Sequence, residues 1–407
     1  MADVYRIERL LSSLSQLTSV PGEITRQTFS LAWEDAVGLL SNQMRELGMS
    51  TRVDGFGNLI GTYNPGNSSK KPVGIGSHLD TVINGGAYDG TIGIVSGLEL
   101  VHMLHEKSVF PSHPVEIIAF AEEEGGVFGK GCMGSEYITG NTALKVLEQF
   151  HDSGDMNAKQ RAGAVTLEKA PYGSDFGWGK DHFHAFFEIH AEQGAVLQEA
   201  EKQIGIVDGV VGILRCEITF VGQTNHAGTT LMDRRKDAIV ALSDFISQAY
   251  RYGLSRNGQL VVTNGKISIF PNQHNVVPGK ASSMMELRAE TDDMIKQAFH
   301  SLETIAYNVA QQHHEIVTFS EPVYVKPIRF DEKLLEVQTK VAARNEKVIH
   351  IFSWAGHDAK LMAKVAPSAM LFVPSRGGLS HCPEEASDPA DIAAATDFLF
   401  NILMEMQ

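Results

Sequence analysis

Histidines and carboxylates gathered at the ends of apolar segments are the residues of this chain best suited to chemistry. In GSHLDTVINGGAYDG, residues 76–90, His78 closes a short β-rich segment and Asp80 follows two positions later. Asp89 stands where the glycine-rich loop meets the next helical stretch. Open α/β sheets place their sites at the carboxyl ends of strands. An imidazole that binds a metal through one nitrogen commonly gives the other to a carboxylate, here Asp80. In AFAEEEGG, residues 119–126, Glu122, Glu123 and Glu124 terminate another apolar segment. Adjacent carboxylates at the end of a core strand repel one another and raise their pKa values unless a cation neutralises them. A metal ion is the natural cation. His190 in FFEIHAEQG, beside Gln193, and His381 in LFVPSRGGLSHCPEE stand at further strand ends. Each piece alone also has an ordinary reading, as a polar turn, a solvated loop start or a core histidine. Together they supply enough imidazoles and carboxylates for two metal ions sharing one carboxylate. His226, in GQTNHAGTT, is either an electrophile reaching over a site or a loop histidine, and spacing alone does not choose.

The elements that must position these residues change character along the chain. Helical spacing over 5–19 and 29–47 is followed by β-rich segments at 50–53, 59–63 and 73–77, a helix over 90–105 and a buried strand at 115–120. Strand–helix alternation with apolar strands predicts an α/β domain with a mostly parallel sheet and helices on both faces. The middle reads as strand 214–221, helix 235–250, strands 260–270 and 282–289, helix 293–311 and strand 315–320. That β-α-β-β-α-β order predicts a ferredoxin-like α+β domain. Helices over 334–344, 360–365 and 390–406 and a strand at 369–373 return to the first pattern. The expected organisation is a catalytic domain from 1–211 and 328–407, with 212–327 inserted.

The 407 residues are long enough for two such domains. A net charge of −15 argues against a nucleic-acid partner, which needs a basic face. Three cysteines against sixteen histidines exclude a disulfide scaffold and fit a reducing compartment. The same count favours imidazole and carboxylate ligands, which suit zinc, manganese, cobalt or nickel. The N-terminus lacks the pattern of a signal peptide, and no apolar run approaches the ~18 residues of a membrane span. A cytoplasmic protein with no membrane partner is expected.

Taken in order, GSHLDTVINGGAYDG, FAEEEGGVFG, GSEYITG, EIHAEQG, GQTNHAGTT with DRRKDA, NVVPG, AGHDA and GGLSHCPEE resemble the amidase branch of the dimetal aminoacylase/carboxypeptidase-type hydrolases. That branch comprises the allantoate amidohydrolases, N-carbamoyl-L-amino-acid hydrolases and β-ureidopropionases. The resemblance runs almost the whole chain. It implies two divalent ions, with Asp89 bridging, His78 and His190 on one ion, and Glu124 and His381 on the other. It also implies Glu123 as general base, Glu122 without a catalytic role and Asp80 orienting His78. His226 would polarise the scissile carbonyl from a partner subunit, the inserted domain serving as lid and dimer interface. Gln193, Asn275 and Arg288 would hold a small carboxylate substrate, Arg288 as a bidentate fork, with backbone N–H groups of Gly377 and Gly378 added. Trp354 and Arg376 depart from the family pattern near the expected pocket.

The function so implied is hydrolysis of a linear ureido or amide C–N bond, as in allantoate or an N-carbamoyl-L-amino acid. A carbamoyl group would leave as ammonia and carbon dioxide. An N-acyl-amino-acid or dipeptide hydrolase is the alternative within the superfamily, and a non-catalytic small-acid or metal-binding protein the alternative outside it. The intact Glu123 speaks against the last.

Overall fold

Four apolar runs form the centre of the larger sheet. Val73–His78, Val115–Phe120, Ala185–Ala191 and Ser368–Val373 are buried along their whole length, which is how strands covered on both faces read. In the computed structural model, which describes residues 1–343 and 345–406, these four lie parallel to one another. Antiparallel strands flank them, Leu59–Tyr63 and Ser50–Val53 on one side and Ile204–Val210 on the other. In this register His78 lies opposite Phe120, and His190 opposite Phe372. The loops that leave these strand ends therefore open on one edge of the sheet.

Packed contacts divide the chain into two units, residues 1–208 with those from 330 on, and Gly209–Arg329. In the first unit the helix Thr91–Glu106 is buried almost throughout and packs with Val4–Ser15 and Pro389–Glu405. Asp3 caps the first of these by accepting from the Tyr5 and Arg6 amides, and Asp388 followed by Pro389 starts the last. The helix expected over 334–344 is Glu332–Ala342, and Arg344 lies outside the described residues. The strand Val348–Ser353 and the helices Met133–Thr139 and Ala158–Gly163 were not signalled by periodicity. The helices are short, and their residues are punctuated by glycine and polar positions that break any apolar repeat.

The second unit has its own core. Gly212–Val221, Ala238–Leu254, Leu260–Phe270, Lys280–Ala289, Asp292–Gln312 and Ile316–Phe319 follow one another as β-α-β-β-α-β. Its sheet runs fourth strand, first, third, second, all antiparallel, the arrangement of a ferredoxin-like sandwich. Alternation sets the inner face: Leu214, Cys216, Ile218 and Phe220 turn inward against Leu242, Phe245 and Leu302. Gly209 and Val210 pair with Ile328 and Arg329, so the chain enters and leaves this unit on adjacent strands.

Candidate metal centre and active site

The tautomers of two buried histidines define the centre. His78 Nδ1 lies 2.8 Å from the backbone oxygen of Asp80, and His190 Nδ1 lies 2.9 Å from that of Ala191. A carbonyl only accepts, so each neutral ring carries its proton on Nδ1 and presents a bare Nε2. These two Nε2 atoms are 3.5 Å apart. Asp89 Oδ1 is 3.1 Å from the His190 Nε2 and 3.7 Å from that of His78. With the rings neutral, three electron-rich atoms converge there, an arrangement that a cation would satisfy.

The other oxygen of Asp89 repeats the pattern. Oδ2 is 3.2 Å from His381 Nε2, which is 3.5 Å from Glu124 Oε1. That glutamate oxygen is buried and has no hydrogen-bond partner. Among the described residues the sets His78, Asp89, His190 and Asp89, Glu124, His381 each bring one ligand atom per residue within 4.8 Å of the others. Asp89 belongs to both, one oxygen to each. Burial pushes its carboxyl upward, but the facing imidazoles of His190, His381 and His78 hold it well below the usual range. The donor set fits two divalent ions of the kind that take imidazole and carboxylate.

Local structure explains how the loop reaches the imidazole. Gly90 has φ +66°, and a Cβ there would fall 2.5 Å from the His78 ring. Only glycine brings the start of Thr91–Glu106 so close.

Asp80 differs from expectation. It holds His78 through its backbone carbonyl, while its buried carboxylate accepts the amides of Glu123 and Glu124, both at 3.1 Å. Two residues past a strand end, the peptide already lies against the ring, leaving the side chain free to span to the next strand end. Glu122 turns into its own loop, accepting from the amides of Val127 at 2.7 Å and Phe128 at 3.0 Å. Glu123 points toward the histidines, with Oε2 3.9 Å from His78 Nε2 and Oε1 accepting the Cys132 thiol at 3.2 Å. Burial pushes its carboxyl well up, helped by the charges of Asp358, Glu124 and Asp80 and opposed by His78.

Gln193 donates to both oxygens of Asp89, at 3.0 and 3.1 Å, and to the Ser380 hydroxyl at 3.2 Å. Gly377 and Gly378 correct the expectation of free backbone donors. Gly377 N–H donates to Gln198 Oε1 at 2.6 Å and Gly378 N–H to the Ser375 carbonyl at 3.0 Å. With φ near +65° at each residue, they close a tight turn before His381 instead.

His226, Asn275 and Arg288 belong to the second unit. His226 Nδ1 accepts the amides of Gly228 at 3.0 Å and Thr229 at 3.2 Å, so its exposed neutral ring carries the proton on Nε2. That is the tautomer a carbonyl-polarising donor needs. The backbone carbonyl of Asn275 accepts the Ala227 amide beside it at 3.0 Å. Arg288 stands apart from this pair on the strand Lys280–Ala289, with Nε 2.8 Å from Glu286, a carboxylate it shares with Arg215.

Sequence reasoning missed the carboxylates packed around these candidate ligands. Glu188, two residues before His190, accepts the Ser77 hydroxyl and the Ala359 amide, both at 2.7 Å. Asp358 accepts the Ser135 hydroxyl at 2.5 Å, leaving its second oxygen buried and unpartnered. His357, whose ring centre is 4.5 Å from that of His190, is held neutral by burial. Alternation along Ala185–Ala191 put Glu188 on the same face as His190, and that was the available signal.

The profile of peptidase family M20/M25/M40 matches residues 74–405. The chain is 30% identical over 404 residues to an N-carbamoyl-L-amino-acid amidohydrolase of Paenarthrobacter aurescens, covering 99% of this chain and 98% of that one. It is 32% identical to the allantoate amidohydrolase of Bacillus subtilis, covering 94% of each. A solved hydantoinase/carbamoylase family amidase from Burkholderia ambifaria superimposes with a TM-score of 0.90 at 29% identity, covering 99% of this chain and 97% of that one.

Proposed function

The chain belongs to peptidase family M20/M25/M40, and from that premise we propose that it is a metal-dependent amidohydrolase. Its reaction is hydrolysis of the linear C–N bond of a carboxylate-bearing ureido compound, an N-carbamoyl-L-amino acid or allantoate. The observation that carries this reading is the divided carboxylate of Asp89, one oxygen facing His78 and His190 and the other facing His381 and Glu124. The names of the relatives supply the substrate class.

In this reading His78, His190 and Asp89 hold one divalent ion, and Asp89, Glu124 and His381 the other, as zinc, manganese, cobalt or nickel. Ions so held act as Lewis acids on a carbonyl and bring the pKa of water toward neutrality. Glu123 takes the proton of the attacking water at Oε2 and returns it to the leaving nitrogen. Its carboxyl, pushed up by burial, suits a group that must hold a proton between two steps. Gln193 fixes Asp89. His226, protonated at Nε2, donates to the scissile carbonyl, supplied by the partner subunit of a homodimer formed through the second unit. Asn275 and Arg288 bind the substrate, Arg288 by its carboxylate. A carbamoyl group leaves as ammonia and carbon dioxide beside the free amine. Three free cysteines fit a cytoplasmic setting. Among the described residues no helix is long and apolar enough to cross a membrane.

Ammonium release by metal-stripped and manganese- or zinc-reloaded protein tests this on allantoate and a panel of N-carbamoyl-L-amino acids. Release is expected only with metal. Glu123→Gln should lower kcat by about 10²–10⁴-fold, the usual worth of a general base, while both ions and KM are kept. Metal-loaded protein inert on every ureido substrate would move the assignment to acyl-amino-acid or peptide substrates.

A further inference from the structure

His78 and His190 are fixed by the register of parallel strands, whereas His381 sits in a loop at φ +57° with its side chain half exposed. Something other than the sheet must hold His381 against Asp89. Glu385, in the HCPEE segment, is 4% exposed, and both its oxygens are taken by the two loops concerned. Oε1 accepts the amides of Tyr88 at 3.1 Å and Asp89 at 2.9 Å. Oε2 accepts the Ser380 hydroxyl at 2.7 Å and the His381 amide at 3.3 Å. Ser380 extends the chain of contacts to Gln193, which donates onto Asp89. The fit is close: a Cβ on Gly86 would lie 2.1 Å from Glu385 Oε1.

We propose that Glu385 is the positioning residue of the ion shared by Asp89, Glu124 and His381, setting the separation of the Asp89 and His381 backbones while touching neither ion nor substrate. The inference rests on the two-ion reading of the site. Four N–H and O–H donors facing one carboxylate have no equivalent in an amide, whose NH₂ would oppose two of them. Outer partners of this kind are worth about 10–100-fold in metal affinity or activity. The ion on His78 and His190, set by strand register, should be indifferent to Glu385.

The test is calorimetric titration of chelator-stripped protein with zinc, beside ammonium release at limiting and excess zinc. Wild type is expected to take two ions. Glu385→Gln should keep one at wild-type affinity, bind the other about 10–100-fold more weakly, and regain kcat at excess zinc with KM unchanged. Gly86→Ala, which leaves Glu385 in place but displaces its carboxylate, should weaken the same ion and carries the test if the glutamine variant does not fold. Glu384→Gln, at an exposed neighbour, should match wild type. A folded Glu385→Gln or Gly86→Ala that binds both ions normally, or loses both alike, overturns the proposal. A wild type that takes one ion refutes the two-ion reading instead. Glu385 then keeps its role only if Glu385→Gln weakens that ion and Glu384→Gln does not.

Discussion

The carboxyl group of Asp80 is buried between two strand ends, with the fully buried guanidinium of Arg26 nearby. Arg26 itself donates to the carbonyls of Leu79 and Leu14 at 2.9 and 2.7 Å. The Asp80 carboxylate orders the amides of Glu123 and Glu124, so the proposed general base and ion ligand are placed by a side chain that need touch neither ion nor substrate. Asp80→Asn keeps the shape but turns an NH₂ toward one of those amides. Leaving a buried donor unsatisfied costs about 1–3 kcal/mol. Activity should fall about 10–100-fold, as for other outer-shell changes, with metal uptake measured beside kcat. Unchanged activity and uptake would show that the glutamates are ordered by the chain alone. The residues that converge on Asp89 were legible because their types and strand-end positions are unusual for core or loop. Glu385 was not. A glutamate pair after His381 reads as a solvated loop, and its Asp89 contact joins residues 296 positions apart.

At the scale of elements, the central strands and long helices were legible because burial on both faces leaves an unbroken apolar run and amphipathic helices leave a 3.6-residue repeat. What periodicity could not carry was side-chain placement on short connections, as at Glu315 between Asp292–Gln312 and Ile316–Phe319. Both its carboxylate oxygens are buried without partners. Burial pushes its pKa up to about 7, with Asp237 adding to the shift and His313 and Lys236 opposing it. A carboxyl raised on folding contributes stability that is fully present below its unfolded pKa, near 4.5, and is lost as pH rises through about 7. Glu315→Gln should therefore stabilise the second unit at pH 8. Because the rest of the side chain is partly exposed and solvent lies close by, screening leaves on the order of 1 kcal/mol of that gain. Denaturant unfolding at pH 8 and pH 4 checks it; a gain that persists at pH 4 would assign the effect to packing rather than charge.

For the whole molecule, the β-α-β-β-α-β order of the second unit was legible as a change of patterning, because each unit closes its own core. The charge stored inside the first unit was not legible, since it comes from carboxylates distant in sequence. Burial raises the pKa of Asp80, Glu123, Glu124, Glu188 and Asp358 alike. Without a cation, these groups stabilise the unit when protonated, and that contribution falls away as pH rises through their raised values. A divalent ion takes the place of the protons, so metal binding should release protons and stabilise the first unit more at pH 8 than at pH 6. At a free metal concentration of 100 Kd the gain is about 2.7 kcal/mol per site. Among the described residues the second unit contributes no ligand to either ion set, and its own core should unfold at a temperature that metal does not move. Calorimetric scans of stripped and manganese-loaded protein at the two pH values separate the transitions. A single transition that metal shifts as a whole would mean that the two units unfold as one. A metal-induced shift larger at pH 6 would mean that the buried carboxylates are not what the ion neutralises.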